Sequence, residues 1–415
     1  MKQESNSAQH RSGLAEIFQA ALARVEGAAA IAAWLRVHPL EGERRLVAIG
    51  KAAQSMADGA ARVLGDLIVQ GLIISKQGHL DQAVCDRRGW ECIEAAHPVP
   101  DANSLYAGER LLEFLDEPDE RPLLFLLSGG ASSLVEAQVA GVDLEFIARC
   151  NRWLLASGLD IVQMNLIRKG LSRIKGGGLL AHLAGREVHA LAISDVPGDR
   201  PAAIGSGLLV PEPELARQLA EMALPEWLRE RLQEGLEQRQ APPPHPPAVQ
   251  IVANLDLARQ AAAARARELG FRVRLHDEFL EGDAAEAGRR LARELLDGPP
   301  GVSIWGGETT VELPPQPGQG GRNQHLALAA ASVLAGNHHC YLLAAGTDGT
   351  DGPTDDAGAL VDGQTLSRGE LEGQDAARAL AAADAGRFLE ASGDLITTGP
   401  TGTNVMDLVI GLKIS

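Results

Sequence analysis

The sequence has few aromatic residues and few cysteines, and it contains no long apolar run. Phe, Trp and Tyr supply 3% of the 415 residues, so a core has to be built from aliphatic side chains. The four cysteines form no CxxC pair and indicate neither a disulfide framework nor a zinc motif. No stretch approaches the roughly 20 apolar residues of a membrane span, and residues 1–12 are polar, unlike a signal peptide. We therefore expect a soluble cytoplasmic protein with no membrane partner.

Positive charge is also scarce. The chain has 38 Lys and Arg against 55 Asp and Glu, a formal net charge of −17. Such a charge repels nucleic acid and anionic membranes, so the sequence predicts no nucleic-acid partner. A phosphate-containing ligand would need a local group of cations.

Three familiar nucleotide-binding signatures are missing. The sequence contains no Walker loop and no protein-kinase catalytic set. The nearest approach to a GxGxxG fingerprint is Gly318-Gln319-Gly320, but Asn323 stands where the third glycine should be. The acidic loop that begins at Asp348 is not an EF-hand, because its twelfth position is Ala359 and not Glu. These absences argue against several common nucleotide-binding and calcium-binding classes.

Short apolar runs alternate with amphipathic stretches along most of the chain. This alternation predicts an α/β fold with parallel strands and helices on both faces of the sheet. The first amphipathic stretch predicts a single helix over Gly13–Arg36. The proline-rich segment 241–248 favours a domain boundary, which divides the chain into residues 1–240 and 241–415. Val249–Val252 would then be the first strand of the second domain.

Polar or charged residues directly follow several predicted strands. They are Lys51, Ser128, Asp195, Glu308 and Asp348. Each loop by itself could be an ordinary turn. Together they favour a site for phosphates and a small acid, because ligands of parallel sheets bind at the carboxyl ends of the strands.

Two of these regions have features suited to anions. In Ser128-Gly129-Gly130-Ala131-Ser132-Ser133, two glycines let the backbone approach a phosphate at the start of the next helix. Arg322 lies at a predicted helix start after two glycines, and its guanidinium could hold a phosphate or carboxylate through two bonds. The cations of 168–175 precede three glycines and are better explained as the end of a helix.

The order of these segments resembles the class II, MOFRL-type glycerate 2-kinase family, which includes proteins labelled hydroxypyruvate reductases. The resemblance runs from about Gly13 to the C-terminus. The matching segments are Gly50-Lys51-Ala52-Ala53, His97-Pro98-Val99-Pro100-Asp101, Ser128-Gly129-Gly130, Ser194-Asp195-Val196-Pro197-Gly198-Asp199, Gly306-Gly307-Glu308-Thr309, Gly321-Arg322-Asn323-Gln324, Gly346-Thr347-Asp348-Gly349 and Thr398-Gly399-Pro400-Thr401-Gly402-Thr403-Asn404.

The resemblance implies a Rossmann-like N-terminal domain, a smaller C-terminal α/β domain and an active site in the cleft. It implies ATP-dependent phosphorylation of D-glycerate at the 2-hydroxyl, with Mg²⁺ accompanying ATP. Lys51 and Arg322 are the main catalytic candidates, and Asp195 is a candidate base or Mg²⁺ partner. The expected nucleotide-binding residues are Ser128, Gly129, Gly130, Ser132, Ser133, Glu308 and Asp348. The metal ligands are left open, and so is the question of a homo-oligomer.

Two alternatives stay open at this point. One is an NAD(P)H-dependent hydroxypyruvate reductase, which the missing dinucleotide fingerprint disfavours. The other is a non-catalytic regulator that binds a sugar acid. The chain also departs from the family pattern at Arg200, at Leu208-Leu209 and at His325, so nucleotide affinity or substrate preference could differ.

Overall fold

A six-stranded sheet forms the centre of residues 27–252, here called the first unit. The computed structural model describes residues 2–183 and 185–415. The strands of the first unit are β1 (Arg44–Ile49), β2 (Ile68–Lys76), β3 (Glu91–Ala95), β4 (Leu123–Leu127), β5 (Val188–Ile193) and β6 (Val249–Ala253). They lie in the order β3-β2-β1-β4-β5-β6, and the first four neighbouring pairs in that order are parallel. Strands β1 and β4 are buried along their whole length, as their near-continuous apolar sequences predict.

Helices connect these strands and bury the sheet. They are α2 (Gly27–Val37), α3 (Ala53–Leu64), α4 (Gln82–Arg88), α5 (Ala102–Asp116), α6 (Ala131–Leu134), α7 (Leu144–Ala156), α8 (Ile161–Gly170), α9 (Leu215–Ala220) and α10 (Glu226–Glu237). Several start at an aspartate whose side chain accepts backbone N–H bonds, as at Asp101 before α5 and Asp160 before α8. Residues from α7 to α10 form a separate apolar cluster of their own.

The second unit comprises the N-terminal residues up to 26 together with 253–415. Its strands are β7 (Val273–Leu280), β8 (Gly301–Gly307), β9 (Cys340–Gly346), β10 (Gly358–Asp362), β11 (Leu395–Ile396) and β12 (Asp407–Lys413), in the order β11-β10-β9-β12-β8-β7. Only the β7–β8 pair is parallel among these neighbours. The helices are α1 (Lys2–Val25), α11 (Leu255–Glu268), α12 (Ala284–Asp297), α13 (Arg322–Leu334), α14 (Thr365–Leu371), α15 (Ala376–Ala381) and α16 (Ala385–Ser392). Both units confirm the predicted α/β class.

The prediction of a single helix over Gly13–Arg36 is wrong. Helix α1 ends at Val25 and helix α2 begins at Gly27, so the helix is interrupted at Glu26. Helix α1 belongs to the second unit, where Glu16 pairs with Arg265 of α11. Arg11 of the same helix donates to Asp362 at 2.7 Å and to Asp394 at 2.8 Å. An amphipathic pattern is the same whichever apolar surface it covers, so it could not show that α1 and α2 pack in different units.

The proline-rich segment 241–248 lies inside the first unit and is not where the chain passes to the second. Strand β6 follows it and adds to the edge of the first sheet, so the division falls after Val252 and not at 240/241. Val249 and Ile251 pack against the first core, and Trp34 Nε1 donates to Gln250 Oε1 at 3.1 Å. A short apolar strand after a stiff linker gives no indication of which sheet it will join.

Two further features concern cysteines and membranes. Cys85 and Cys92 are joined by a disulfide, which the sequence pattern does not indicate, whereas Cys150 and Cys340 are buried free thiols. Within residues 2–183 and 185–415, we find no helix with the length and apolar character needed to span a bilayer.

Candidate functional site

The order of the first sheet reverses between β1 and β4. Strands β2 and β3 lie on one side of β1, whereas β5 and β6 lie beyond β4 on the other. The connections therefore leave these two central strands in opposite directions, which opens a crevice at their carboxyl ends. Lys51 follows β1 and Ser128 follows β4, so two predicted site residues lie at this switch point.

Backbone and side-chain hydrogen bonds hold the loops after β1 and β4 together. The Lys51 N–H donates to Gly129 O at 2.9 Å, and the Ala52 N–H donates to Ser128 Oγ at 3.0 Å. Gly50 has a φ of +128°, and a Cβ there would lie 2.2 Å from Ser128 Oγ. Only glycine allows this approach. The backbone of Lys51 is consequently fixed against the loop that follows β4.

The side chain of Ser128 connects the two loops. It is fully buried and accepts the Ala52 hydrogen bond. Ser133 is also buried, and its hydroxyl donates to Gly130 O at 3.2 Å. Ser132 is more exposed and exchanges a 2.7 Å hydrogen bond with Ser206. Helix α6 has only four residues, so its helix dipole is small.

Gly130 is the point at which two side chains converge. Its φ is +84°, and a Cβ there would lie 3.1 Å from His97 Cδ2 and 3.3 Å from Lys51 Cγ. Both side chains are half-buried. His97 follows β3, and in the sequence it stands out only as part of a family segment. The signal that could have identified it is a polar residue shortly after a strand, but this signal is weaker than at Lys51, because β3 is only partly buried whereas β1 is buried along its whole length.

Asp195 follows β5, the strand next to β4, and lies at the same edge of the sheet. Its side chain is half-buried, whereas the neighbouring Ser194 is fully buried. The first unit thus presents a lysine, a histidine and a carboxylate at the ends of β1, β3 and β5.

In the second unit, Arg322 is the first residue of α13 and contacts two carboxylates. Its Nε and Nη2 donate to Asp407 at 2.5 and 3.1 Å, and its Nη1 donates to Glu308 at 2.7 Å. Burial alone would lower the pKa of the guanidinium, but the charge and hydrogen bonds of Asp407, together with the charge of Glu308, raise this pKa above its ordinary value. Arg322 therefore keeps its charge at any physiological pH.

The sheet explains why these carboxylates meet. Strand β12 runs antiparallel between β8 and β9, so its first residue, Asp407, lies opposite Gly307 and Gly346. Glu308 comes directly after Gly307, at the end of β8. Glu308 and Arg322 stand out in the sequence, but Asp407 does not, because its pairing partners are far away in the chain.

Asp351 caps helix α13 from a distant loop. Its carboxylate accepts from the Asn323 N–H at 3.0 Å and from the Gln324 N–H at 2.7 Å. A Cβ at Gly321 would lie 2.3 Å from Asp351 Oδ1, so the glycine before the helix makes room for this cap. Asp348, which the sequence favours as a nucleotide ligand, shapes the same loop by accepting from the Thr350 N–H at 3.1 Å. The cap fixes the turn that carries Arg322.

Burial raises the pKa of Asp351 to about 7, against the lowering effect of the two backbone N–H groups. Asp407 adds to this upward shift by charge repulsion. An acid whose pKa is higher in the folded state stabilises the fold at low pH, and this contribution is lost as the pH rises from about 4 to 7.

Asp351→Asn tests this linkage. Asparagine keeps one acceptor but presents an NH₂ group to the helix N–H, so we expect a loss of about 1–3 kcal/mol at pH 5. This deficit should shrink by at least about 1 kcal/mol by pH 8, because the wild type alone then bears the cost of a buried charge. Denaturant unfolding of both proteins between pH 5 and 8 measures the difference. A deficit that does not change with pH would show that Asp351 titrates normally.

Within residues 2–183 and 185–415, no three His, Cys, Asp or Glu side chains are grouped so as to hold an ion.

Two known family models match this chain, one in its N-terminal part and one in its C-terminal part. Residues 13–239 match the model of DUF4147, described as a domain of unknown function, and residues 301–407 match the model of the MOFRL family. The first match covers more than half of the chain.

Individual relatives agree with these matches. The chain is 41% identical to the D-glycerate 2-kinase of Thermotoga maritima, over 89% of this chain and 90% of the relative. It is 34% identical to the glycerate 2-kinase of Pyrococcus horikoshii, over 91% and 88%. It is also 37% identical to a putative hydroxypyruvate reductase of Agrobacterium vitis, over 97% and 94%.

A solved structure agrees as well. The crystal structure of glycerate kinase from Thermotoga maritima superposes with a TM-score of 0.86 at 37% identity, covering 98% of this chain and all of that one. The chain therefore belongs to the glycerate 2-kinase family that its sequence motifs indicate.

Proposed function

We propose that this protein is a D-glycerate 2-kinase, which transfers the γ-phosphoryl group of ATP to the 2-hydroxyl of D-glycerate. The observation that carries the proposal is the fixed Lys51 at the switch point of the first sheet, where its stem and the His97 ring converge at Gly130. The family relationship supports ATP as the phosphoryl donor and glycerate as the acceptor. A cytoplasmic location stays a prediction.

The reaction breaks the bond between the γ-phosphorus and the oxygen of the departing ADP. The 2-hydroxyl oxygen of glycerate forms the new bond, and its proton passes to a base, for which Asp195 is the candidate. Such transfers depend mainly on positioning and on neutralising charge. We assign Lys51 and Arg322 to this neutralisation, with Arg322 suited to a two-point grip on a phosphate or carboxylate.

The remaining assignments concern the nucleotide. Gly129, Gly130 and Ser132 are proposed to contact its phosphates, and Ser128 and Ser133 support them from buried positions. Carboxylate oxygens suit Mg²⁺, which usually binds through one or two carboxylates and the substrate phosphates. Asp195, Glu308 and Asp348 are the candidates for this contact. Bound Mg²⁺ would supply further neutralisation of the phosphate charge.

The test is ATP turnover with D-glycerate, L-glycerate, tartronate, tartrate and hydroxypyruvate, followed by NMR of the product. We expect turnover with D-glycerate and a phosphate on carbon 2. Formation of 3-phosphoglycerate alone would contradict the proposed position of transfer. No ATP turnover in the presence of measurable glycerate binding would favour a non-catalytic regulator.

The reductase alternative is kept because two relatives from Agrobacterium vitis are named putative hydroxypyruvate reductases. NADH or NADPH with hydroxypyruvate, followed by absorbance, tests it directly. We expect no consumption of either cofactor, since the loop after β1 reads Gly50-Lys51-Ala52 and has no dinucleotide fingerprint. Rapid cofactor oxidation would reverse the assignment.

A further inference from the structure

The two carboxylates on Arg322 hold it in different ways. Asp407 is buried, with 7% of its side chain exposed, and binds both Nε and Nη2. Glu308 is 42% exposed and contacts Nη1 alone. A carboxylate that binds two nitrogens of the planar guanidinium fixes its orientation, whereas a single contact leaves it free to turn.

The backbones of both residues are held by the sheet. Asp407 begins β12, which pairs with strands on both sides. Glu308 lies just past the end of β8, and its N–H donates to Leu280 O at 2.8 Å. The difference lies in the side chains: Asp407 is the buried, two-point partner of Arg322, and Glu308 is the more exposed partner, which an incoming anion could displace.

The orientation of Arg322 determines which N–H groups are available. A guanidinium has five N–H donors, and Asp407 occupies the Nε–H and one Nη2–H. Three donors remain, two on Nη1 and one on Nη2, and Glu308 accepts one of those on Nη1. The Nη1–Nη2 edge can bind a phosphate or carboxylate at two points.

We propose that Asp407 is a positioning residue for phosphoryl transfer, which orients Arg322 so that its Nη1–Nη2 edge grips the anion of the substrate or nucleotide. This inference rests on the proposed kinase function and extends it to a residue that the sequence motifs do not include. Asp407 acts through Arg322 and does not touch the reacting atoms.

Asp407→Asn is the principal variant. The amide turns an NH₂ group toward one of the two Arg322 donors, so the two-point hold is lost. We expect kcat to fall about 5- to 10-fold with a KM for ATP that changes less than twofold, because orientation matters most in the transition state.

A matched control separates this effect from a loss of stability. Asp362 is another buried carboxylate of the same sheet that pairs with arginines, Arg11 and Arg368. Asp362→Asn should lower the melting temperature while kcat stays within twofold of the wild type. Equal loss of kcat in both variants would mean that Asp407 serves only the stability of the unit.

A double-mutant cycle shows whether Asp407 acts through Arg322. Lysine at position 322 cannot form the two-point pair, so Asp407→Asn should cost less than twofold in the Arg322→Lys background. The same 5- to 10-fold loss in both backgrounds would overturn the proposal.

NMR of the arginine side chains tests the contact between Asp407 and Arg322 without measuring enzyme activity. In the ¹⁵N spectrum of arginine side chains, the Arg322 Nε–H, assigned by its loss in Arg322→Lys, should exchange slowly with water. Asp407→Asn should abolish this protection and Asp362→Asn should not. An unprotected Nε–H in the wild type would refute the two-point hold, as would protection that survives Asp407→Asn. An enzyme inactive on glycerate would contradict the proposed function, while this spectrum would still decide whether Asp407 orients Arg322.

Discussion

Lys51→Ala should lower kcat by about 100-fold or more while the KM for ATP changes only a few-fold. Removal of one preorganised, charge-stabilising donor typically has an effect of this order. The Lys51 backbone is held by its hydrogen bond to Gly129 O, and its stem passes Gly130, so its charge is placed before substrate arrives. Such a charge stabilises the transferring phosphoryl group more in the transition state than in the ground state. Steady-state kinetics with ATP and D-glycerate measure the effect.

Lys169→Ala is the matched control in the same unit. Lys169 is buried and its Nζ donates to Glu212 at 2.7 Å. This ion pair gives the lysine charge a structural role that requires no ligand. We expect a lower melting temperature with kcat within twofold of the wild type. If Lys51→Ala instead weakens ATP binding at full kcat, Lys51 is an anchor for the ground state and has no catalytic role.

The predictable part of this protein is the part that local sequence determines. Lys51 and Asp195 come after buried apolar strands, and the strand order places both at the carboxyl edge of one sheet. Ser128 also lies at this edge, but its side chain turns inward to the Ala52 N–H. A sequence shows which residues end a strand and does not show which way a small side chain will point.

Long-range pairing accounts for most of what the sequence analysis misses. Asp407 meets Arg322 because β12 is inserted between β8 and β9, and Asp351 caps α13 from the loop after β9. The same limitation applies to β6, which joins the first sheet, and to α1, which packs in the second unit. None of these pairings has a local signature, because each depends on a partner distant in the chain.

Arg322→Lys should reduce kcat/KM at least ~10-fold, which corresponds to a loss of about 1.4 kcal/mol in transition-state stabilisation. Lysine keeps the charge but cannot bind Asp407 at two points and an anion at the same time. Arg368→Lys is the matched control, because Arg368 also bridges two carboxylates of the second unit, Asp362 at 3.0 Å and Asp394 at 2.6 Å. We expect that control to lose thermal stability and to retain kcat/KM within twofold. Near-wild-type kinetics in a folded Arg322→Lys enzyme would show that two-point binding by the Arg322 guanidinium has no part in the reaction. The pairing of Arg322 with Asp407 would then serve the fold alone.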